Sequence, residues 1–303
     1  MNNLQQLQAL DLETKIMKTK ARIREWYYHF GGQVYVAFSG GKDSTVLLDL
    51  VRSEFPEVPA VFVNTGLEYP EIVEFARTFD NLIELKPKMN FTEVIKKYGY
   101  PVVSKEQSQF IQQYRTAKSE KTKNKRWNGN GKGQFKISEK WKPLCFADFK
   151  VSEKCCDIMK KLPSKIYEKE SKRVPIIGIM TCESGLRKLE WNKYNCNAFE
   201  NKRPTSKPIS FWLKEDIWGY IKTRELKYSK IYDMGYDRTG CMFCAYGLHM
   251  NKINKFQIMQ KTHPNIHKYC VENLGLGEII DFMNRNCKCN INLYEEPKQL
   301  KLY

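Results

Sequence analysis

Residues 34–50 read Val-Tyr-Val-Ala-Phe-Ser-Gly-Gly-Lys-Asp-Ser-Thr-Val-Leu-Leu-Asp-Leu, and this stretch decides the fold. The apolar run Val34–Phe38 predicts a buried strand, and the apolar spacing of Thr45–Val51 predicts a helix. Between them lies the glycine-rich turn of residues 39–44. Glycines let backbone N–H groups approach a ligand closely, and a helix N-terminus attracts negative charge. The stretch therefore predicts a site for phosphate or pyrophosphate.

The turn supplies six consecutive candidate ligands for a nucleotide: Ser39, Gly40, Gly41, Lys42, Asp43 and Ser44. The pattern resembles the PP-loop (Ser-Gly-Gly-x-Asp-Ser) of the superfamily of ATP pyrophosphatases and PAPS reductases. It does not have the Gly-x4-Gly-Lys-Ser/Thr spacing of a Walker A loop. The resemblance implies an adenine nucleotide as ligand, either ATP or APS/PAPS. It also implies catalytic roles for Lys42, on the departing pyrophosphate, and for Asp43, on a bridging Mg²⁺.

The composition of the 303-residue chain is that of a globular protein with a formal charge of +17. No run of eighteen apolar residues is present, so we predict no membrane span. The N-terminal residues 1–21 are polar and lack the apolar core of a signal peptide, which predicts a cytoplasmic protein. The positive charge favours an anionic partner, either a nucleotide or nucleic acid such as tRNA or DNA. A lysine-rich proteome alone would also produce such a surface.

Strand and helix patterns alternate along most of the chain. They predict an α/β fold, with a Rossmann-like parallel sheet flanked by helices (adenine nucleotide alpha hydrolase-like) and a small helical C-terminal region. The expected units are an N-terminal helix in 1–30, a PAPS-reductase-like PP-loop domain in 31–250, and a helical region and tail in 251–303. The individual predictions are one helix over 7–30, strands at 58–64, 82–85 and 174–180, helices at 71–79, 91–98 and 214–223, and one or two helices in 251–286.

Residues 115–142 interrupt this alternation with many lysines and a glycine- and asparagine-rich stretch. We expect a basic insertion that forms a loop. One interpretation is a mobile lid or nucleic-acid-binding arm, in which Trp127 and Trp141 stack on bases. The other is a solvated insertion without a function.

Two further segments are candidates for the substrate side of the nucleotide. Residues 64–71 resemble the Asp-Thr-Gly-x-x-Phe/Tyr-Pro-Glu motif of the PAPS reductase family, with an asparagine in place of the aspartate. The ligands that this resemblance implies are Thr65, Gly66 and Glu68. Arg187 ends a segment similar to the family's Gly-x-Arg-x-x-Glu/Gln-Ser-x-x-Arg motif. It is the candidate contact for a phosphate or sulfate.

Ten cysteines in an intracellular chain indicate metal or redox chemistry more than a disulfide framework. Cys155-Cys156 and Cys241-x-x-Cys244 offer four thiolates, which suit a [4Fe–4S] cluster or tetrahedral zinc. The combined pattern resembles the cluster motif of adenylylsulfate reductases, so we favour the cluster over zinc. Cys287 and Cys289 form either a further metal or sulfur-relay pair or, as we favour, part of an exposed tail.

The chain departs from the classical reductases at one point. Their C-terminal Glu-Cys-Gly-Leu/Ile-His, which carries the nucleophilic cysteine, is not found in this sequence. The leading hypothesis is therefore an iron–sulfur PP-loop enzyme that splits ATP and transfers sulfur in nucleic-acid thiolation or phosphorothioation. A cysteine desulfurase or a thiol reductant is the expected partner. The alternatives are an APS/PAPS reductase that releases sulfite, and a non-catalytic protein that binds nucleotide or nucleic acid.

Overall fold

A six-stranded sheet with strand order β3-β2-β1-β5-β7-β6 forms the centre of the protein. The computed structural model describes residues 3–251 and 253–295. All neighbouring strands are parallel except β6 and β7, so the predicted α/β fold with a parallel sheet is confirmed. The strands are β1 (Val34–Phe38), β2 (Ala60–Val63), β3 (Leu82–Leu85), β4 (Val102–Val103), β5 (Val174–Ile177), β6 (Asn197–Ala198), β7 (Thr205–Ser206) and β8 (Ala245–Tyr246).

Helices cover the sheet and build the C-terminal region. None in the described part of the chain has the length and apolar character needed to cross a bilayer. They are α1 (Asn3–Gln8), α2 (Leu12–His29), α3 (Lys42–Arg52), α4 (Pro70–Ala76), α5 (Phe91–Tyr98), α6 (Lys105–Thr116), α7 (Glu120–Asn128), α8 (Lys154–Cys156), α9 (Leu162–Ser171), α10 (Gly185–Tyr194), α11 (Lys214–Thr223), α12 (Lys255–Thr262), α13 (Pro264–Lys268) and α14 (Leu276–Asn286).

Strand β1 is completely surrounded by other elements, with β2 on one side and β5 on the other. Its residues Val34 and Val36 have no exposed surface. The order of the strands reverses beside β1, and such a switch point opens a crevice at the carboxyl ends of the strands. The turn of residues 39–44 follows β1 directly and therefore lies in this crevice.

The single N-terminal helix predicted over residues 7–30 is wrong, because two helices occupy this region. The side chain of Asp11 accepts a hydrogen bond from the Thr14 amide at 2.9 Å and so begins α2 as its N-cap. The apolar side of α2 is buried as expected, with Ile23 and Trp26 fully enclosed. Lys15 is also buried, and its Nζ lies 2.6 Å from a carboxylate oxygen of Asp216 in α11.

The predicted loop over residues 115–142 is also wrong in part. Helix α7 lies within it, and a 3₁₀-helix (Glu139–Phe146) begins at its end. Helix α7 buries none of its side chains. Its Trp127 attaches it to α6, because the Trp127 ring stacks on Tyr114 with 5.0 Å between the ring centroids. Trp141 is buried, with 6% of its surface exposed, so it does not offer a face for base stacking.

The C-terminal region contains more helices than the one or two predicted for 251–286. Helices α12, α13 and α14 lie there, with a π-helix (Tyr269–Asn273) between the last two. Gly275 has a φ of +72°, a conformation that favours glycine, and directly precedes α14. A separate two-stranded sheet pairs β4 with β8, with Val102 opposite Ala245 and Val103 opposite Tyr246. This short sheet joins the residues that follow Cys244 to those that precede α6.

Candidate functional site

The phosphate loop, residues 39–44, is held mainly by hydrogen bonds within itself. The Oγ atoms of Ser39 and Ser44 lie 3.0 Å apart, and Ser44 Oγ donates to the Gly41 carbonyl at 2.8 Å. Gly40 has a φ of +69°, and a Cβ at this position would lie 2.9 Å from Ile72 Cγ2. Only glycine fits both the backbone conformation and the close approach of α4. The loop thus has the geometry that the sequence predicted for it.

Lys42 and Asp43 lie at the start of α3, where backbone N–H groups are free of helical partners. The Lys42 amide donates to the hydroxyl of Tyr232 at 2.8 Å. The Lys42 ammonium lies 3.2 Å from Asp43 Oδ1, yet this buried oxygen has no hydrogen-bond donor among the described residues. A carboxylate oxygen in this condition suits a hard cation, so the predicted Mg²⁺ role of Asp43 fits its surroundings.

The candidate ligands of residues 65–68 lie at the carboxyl end of β2, beside the phosphate loop. Glu68 Oε2 accepts hydrogen bonds from both the amide and the hydroxyl of Thr65, each at 2.8 Å. Gly66 has a φ of +76° and open space on its Cβ side. Glu68 also helps to line a cavity of about 160 Å³ between β1 and β2, which Ser39 and Gly240 also line. The structure therefore brings one residue of each predicted nucleotide segment, Ser39 and Glu68, to one cavity, whereas the other predicted ligands do not line it.

The four predicted cysteine ligands line a second, small apolar cavity. Cys155 and Cys156 come from α8, and Cys241 and Cys244 come from the loop that precedes β8. The Met242 amide in that loop donates to the Leu67 carbonyl at 2.7 Å, which fixes the loop against the nucleotide side. The prediction that these two cysteine pairs lie together is correct, although more than eighty residues separate them in the chain. The other residues that line this cavity are Leu67, Phe91, Pro101, Met159, Lys160 and Phe243.

The thiols of this cavity have altered acidities. The Sγ atoms of Cys155 and Cys156 lie 3.9 Å apart. The hydrogen bond between them raises the pKa of Cys155 and lowers that of Cys156. Burial raises the pKa of Cys241. The hydroxyl of Tyr246 is buried without a hydrogen-bond partner among the described residues, and it lies within electrostatic range of Cys155 and Cys156.

Lys160 connects the two cavities, because it lines both of them. Its Nζ lies 3.1 Å from Glu68 Oε1 and within hydrogen-bonding range of the Cys241 sulfur. Burial opposes its charge, but attraction to Cys241 and then to Glu68 outweighs burial and raises the pKa of Lys160. Sequence reasoning missed this residue. Its position one helical turn after Cys156 was the available signal.

Lys255, at the start of α12, is a second cation beside the cysteines. Its Nζ donates to the Cys241 carbonyl at 2.6 Å. It lies within electrostatic range of Cys244 and Cys241, although burial lowers its pKa overall. No sequence signal indicated this role, because Lys255 lies in a different helix from every predicted ligand.

Arg187, the predicted phosphate contact, lies in the first turn of α10. Its guanidinium forms an ion pair with Glu183, which also pairs with Arg238 at 3.0 Å. Burial, and then the nearby Arg238, lowers the pKa of Arg187. Asp43 lies within electrostatic range of the guanidinium, so Arg187 is on the phosphate-loop side of the sheet. Its contact with a phosphate or sulfate stays a prediction.

The other cysteines differ in exposure. Cys145, Cys196, Cys270 and Cys287 are buried, Cys289 is intermediate and Cys182 is exposed. The favoured interpretation of Cys287 as part of an exposed tail is wrong, because only 2% of its surface is exposed. Cys182 lies within electrostatic range of Asp43 and Lys214. No sequence signal distinguished Cys182 from Cys145, Cys196 and Cys270.

The chemistry of the cysteine cavity fits the predicted [4Fe–4S] cluster. Four thiols line it, two lysines beside it can offset the negative charge of thiolate ligands, and the nearby Tyr246 hydroxyl is buried without a hydrogen-bond partner among the described residues. Across residues 3–251 and 253–295, no three or more His, Cys, Asp or Glu side chains are arranged to hold a single metal ion. No cofactor is therefore assigned by geometry alone.

A family model for the phosphoadenosine phosphosulfate reductase domain matches residues 33–130 and 109–246. The chain belongs to this family. The match includes the phosphate loop and all four cysteines of the cavity, so the resemblance drawn from the sequence motifs is confirmed. The chain therefore contains a domain of a family of nucleotide-binding enzymes.

The relatives of the chain include both uncharacterized and named proteins. An uncharacterized protein of Methanocaldococcus jannaschii is 27% identical over 269 residues, which make up 85% of this chain and 52% of that protein. A second protein from the same organism is covered to 46%, so the chain spans about half the length of these two relatives. An adenosine 5′-phosphosulfate reductase of Geobacillus kaustophilus is 25% identical over 224 residues, covering 72% of this chain and 75% of the reductase.

Among solved structures, a phosphoadenylyl-sulfate reductase from Candida auris in a phosphate complex aligns with a TM-score of 0.44 at 16% identity. The alignment covers 74% of this chain and 88% of the reductase chain.

Proposed function

We propose that the protein is an ATP-pyrophosphatase-type enzyme that transfers sulfur to a nucleic-acid acceptor. The contact between Lys160 and Glu68 carries this proposal. It links the cavity beside the phosphate loop to the cavity of the four cysteines, so a bound adenine nucleotide and sulfur chemistry would lie side by side. The family membership supports the nucleotide, and the four thiols support the sulfur chemistry.

The proposed reaction has two steps. An oxygen of the acceptor attacks the α-phosphorus of ATP, and pyrophosphate leaves as the acceptor becomes adenylated. Sulfide, or a persulfide together with a thiol reductant, then displaces AMP and leaves sulfur on the acceptor. Lys42 and the loop amides stabilise the charge on the departing pyrophosphate. Asp43 would hold Mg²⁺, which when bound would offset the negative charge of the phosphates.

The four cysteines would hold a [4Fe–4S] cluster, whose contribution when bound would be to bind or relay sulfur or to brace the fold. Lys255 fixes the Cys241 carbonyl, and Lys160 places a positive charge between Cys241 and Glu68. Both lysines would offset the negative charge of the thiolates in a site that excludes most water.

A nucleic-acid acceptor is supported by the basic surface. The chain carries a formal charge of +17, and residues 118–142 contain nine lysines and arginines against two glutamates. A surface of this sign attracts polyanions over distances beyond direct contact.

Sulfonucleotide reduction is the second candidate, because a specific residue favours it. Cys182 is exposed and lies near Asp43 of the phosphate loop, although burial raises the pKa of its thiol. In this reaction a cysteine thiolate attacks the sulfur of APS or PAPS and forms S-sulfocysteine, and the nucleotide monophosphate or bisphosphate leaves. A thiol reductant then releases sulfite. The similarity of this chain to the reductase from Geobacillus kaustophilus supports this second reaction.

The two candidates are separated by their products. The protein, purified without air and assayed for iron, is offered ATP with RNA or DNA and sulfide, and separately APS or PAPS with a thiol reductant. Pyrophosphate release that depends on the nucleic acid supports the sulfur-transfer proposal. Sulfite release that is lost in Cys182→Ala would instead establish the reductase. Stoichiometric zinc without iron would remove the cluster from either scheme.

A further inference from the structure

The surface around α7 combines exposed cations with exposed aromatic rings. We call it the basic face, and its members are Lys118, Lys121, Lys125, Lys132, Phe135, Lys140 and Phe146. All seven side chains are exposed, with exposed fractions of 50% for Phe135 and 70% for Phe146. Singly exposed apolar side chains are common on protein surfaces, and these two rings are distinguished by the exposed lysines around them.

The acidic residues of this segment do not neutralise the basic face. Only Glu120 and Glu139 lie within residues 118–142, a fully described range. Glu120 pairs with Lys123 at 2.8 Å, and Glu139 pairs with Lys142 at the same distance. Each glutamate therefore takes a lysine that is not part of the basic face, and the five exposed lysines keep their charge for an anionic partner.

The aromatic residues of this region differ in how much of each ring is covered by other side chains. Trp127 stacks on Tyr114 and lies 4.3 Å below the Lys142 ammonium, so its faces are already used. Phe146 meets Trp127 in a T-shaped arrangement, with 5.9 Å between centroids and 72° between ring planes, and 70% of its surface is exposed. The Lys125 ammonium lies over one face of the Phe135 ring, 5.2 Å from its centroid, and half of the Phe135 surface is still exposed. The two phenylalanines are thus rings offered to solvent next to cations, the arrangement that stacks and neutralises an unpaired nucleotide strand.

The basic face is connected to the cysteine cavity through α6. Gln107 of α6 accepts a hydrogen bond from the Ser138 amide at 2.9 Å and donates to the Lys136 carbonyl at 3.3 Å. Two residues earlier, Lys105 begins the helix within electrostatic range of Cys156. The segment that carries the basic face is therefore attached to the helix whose first residue lies near Cys156.

From these contacts we infer that the basic face docks single-stranded nucleic acid, with phosphates on its lysines and bases on Phe135 and Phe146. The inference rests on the proposed function and deepens it, because it names the acceptor as unpaired and gives the surface that binds it. Duplexes are expected to bind more weakly, since their bases are not free to stack on the two rings.

The test measures binding of labelled oligonucleotides to the full chain without ATP. The probes are one sequence as single-stranded RNA, the same sequence as single-stranded DNA, and each annealed to its complement. We expect tighter binding of at least one single strand than of its duplex, and affinity that falls steeply with salt. The Phe135→Ala/Phe146→Ala variant should bind that single strand at least tenfold more weakly while its duplex binding changes little.

Charge is tested by Lys121→Glu/Lys125→Glu against Lys193→Glu/Lys222→Glu. Both variants change the net charge equally, and Lys193 and Lys222 are exposed on α10 and α11, away from the segment. Helix α7 buries no side chain, so the first variant should keep the thermal stability of the protein. We expect at least tenfold weaker single-strand binding for the α7 pair and little change for the control pair.

Three results would overturn the inference: equal binding of single strand and duplex, equal losses in the two charge variants, or unchanged affinity after removal of both phenylalanines. Failure of the proposed function is separate. If nucleic acid stimulates pyrophosphate release normally in both sets of variants, the enzyme proposal stands and the docking surface is wrong. If the native chain binds no single strand at all, the docking surface and the nucleic-acid acceptor both fail.

Discussion

The phosphate loop and the cysteine cavity are built in opposite ways. The loop is one run of six residues in which the two serine hydroxyls hydrogen-bond to each other and Ser44 Oγ donates to the Gly41 carbonyl. The cavity joins α8 to a loop more than eighty residues later and depends on the β4–β8 pairing and on Lys255 for its position. The difference teaches that the phosphate loop takes its shape largely from its own residues, whereas the cysteine cavity depends on contacts between distant segments. Substitutions should therefore separate the two.

The largest expected effect is loss of bound iron from Cys155→Ala, because the other three thiols cannot replace a ligand at the cluster. Iron and labile sulfide, measured on protein purified without air, should fall to background while ATP still binds. The control is Cys196→Ala, which removes another buried cysteine that hydrogen-bonds with Ser210. Full iron content in Cys155→Ala would show that this residue is not a ligand.

Gly40→Ala is expected to have the opposite effect, with weaker ATP binding and unchanged iron content. The new Cβ would lie 2.9 Å from Ile72 Cγ2 and 3.0 Å from its carbonyl oxygen, on a backbone with positive φ. Strain of about 1–2 kcal/mol from the backbone alone, plus the overlap, should lower ATP affinity by tenfold or more and leave iron bound. Calorimetric titration with ATP measures the change.

Gly31→Ala is the matched control for this loop variant. Its φ is +54°, but nothing lies within 4 Å of the added Cβ. It should lose a comparable amount of stability to backbone strain and keep its ATP affinity. Equal losses of affinity in both variants would mean that general destabilisation, not the geometry of the phosphate loop, is responsible.

A smaller effect is expected from Lys255→Met, which removes the donor to the Cys241 carbonyl. A hydrogen bond from a charged group contributes about 1.5–3 kcal/mol, so iron should be lost to a chelator about tenfold faster. Lys261→Met, in the same helix but exposed and paired with Glu295, is the control. An unchanged rate in Lys255→Met would leave this lysine with only a packing role.

The smallest expected effect is on communication between the two cavities. If Lys160 links them, bound ATP should change the rate of iron loss in the native chain, by about fivefold as is typical of coupled sites. Lys160→Met should abolish this dependence without abolishing either ligand. Lys161→Met removes the neighbouring lysine, which pairs with Asp157, and should preserve it. Persistence of the ATP effect in Lys160→Met would assign the coupling to other contacts.

The sequence predicted the local parts of this molecule well. The strand, turn and helix of residues 34–52 depend on neighbours in the chain, and the Cys-Cys and Cys-x-x-Cys pairs carry their own spacing. Lys160 and Lys255 were missed because their roles arise only when distant segments meet. Helix α7 was missed because it has no apolar side and depends on the stacking of Trp127 on Tyr114. Its lysine-rich pattern is also typical of a loop.

The choice of Trp127 and Trp141 as base-stacking residues was wrong for a physical reason. Tryptophans are the usual candidates for stacking on bases, yet Trp141 is buried and Trp127 is engaged. The exposed rings belong to Phe135 and Phe146, and sequence alone does not reveal which aromatic side chains a small helix will cover.

The hydrogen bond from the Lys42 amide to the Tyr232 hydroxyl has a consequence for selectivity. A ligand oxygen that takes this amide must replace a neutral phenol that already satisfies it, so binding at this donor is an exchange. A charged phosphate oxygen accepts roughly twice as strong a hydrogen bond as a neutral acceptor. A hydroxyl or an uncharged carbonyl gains almost nothing by the exchange. For a ligand that binds at this amide, Tyr232 is therefore an internal competitor, and the exchange favours charged phosphates over neutral acceptors.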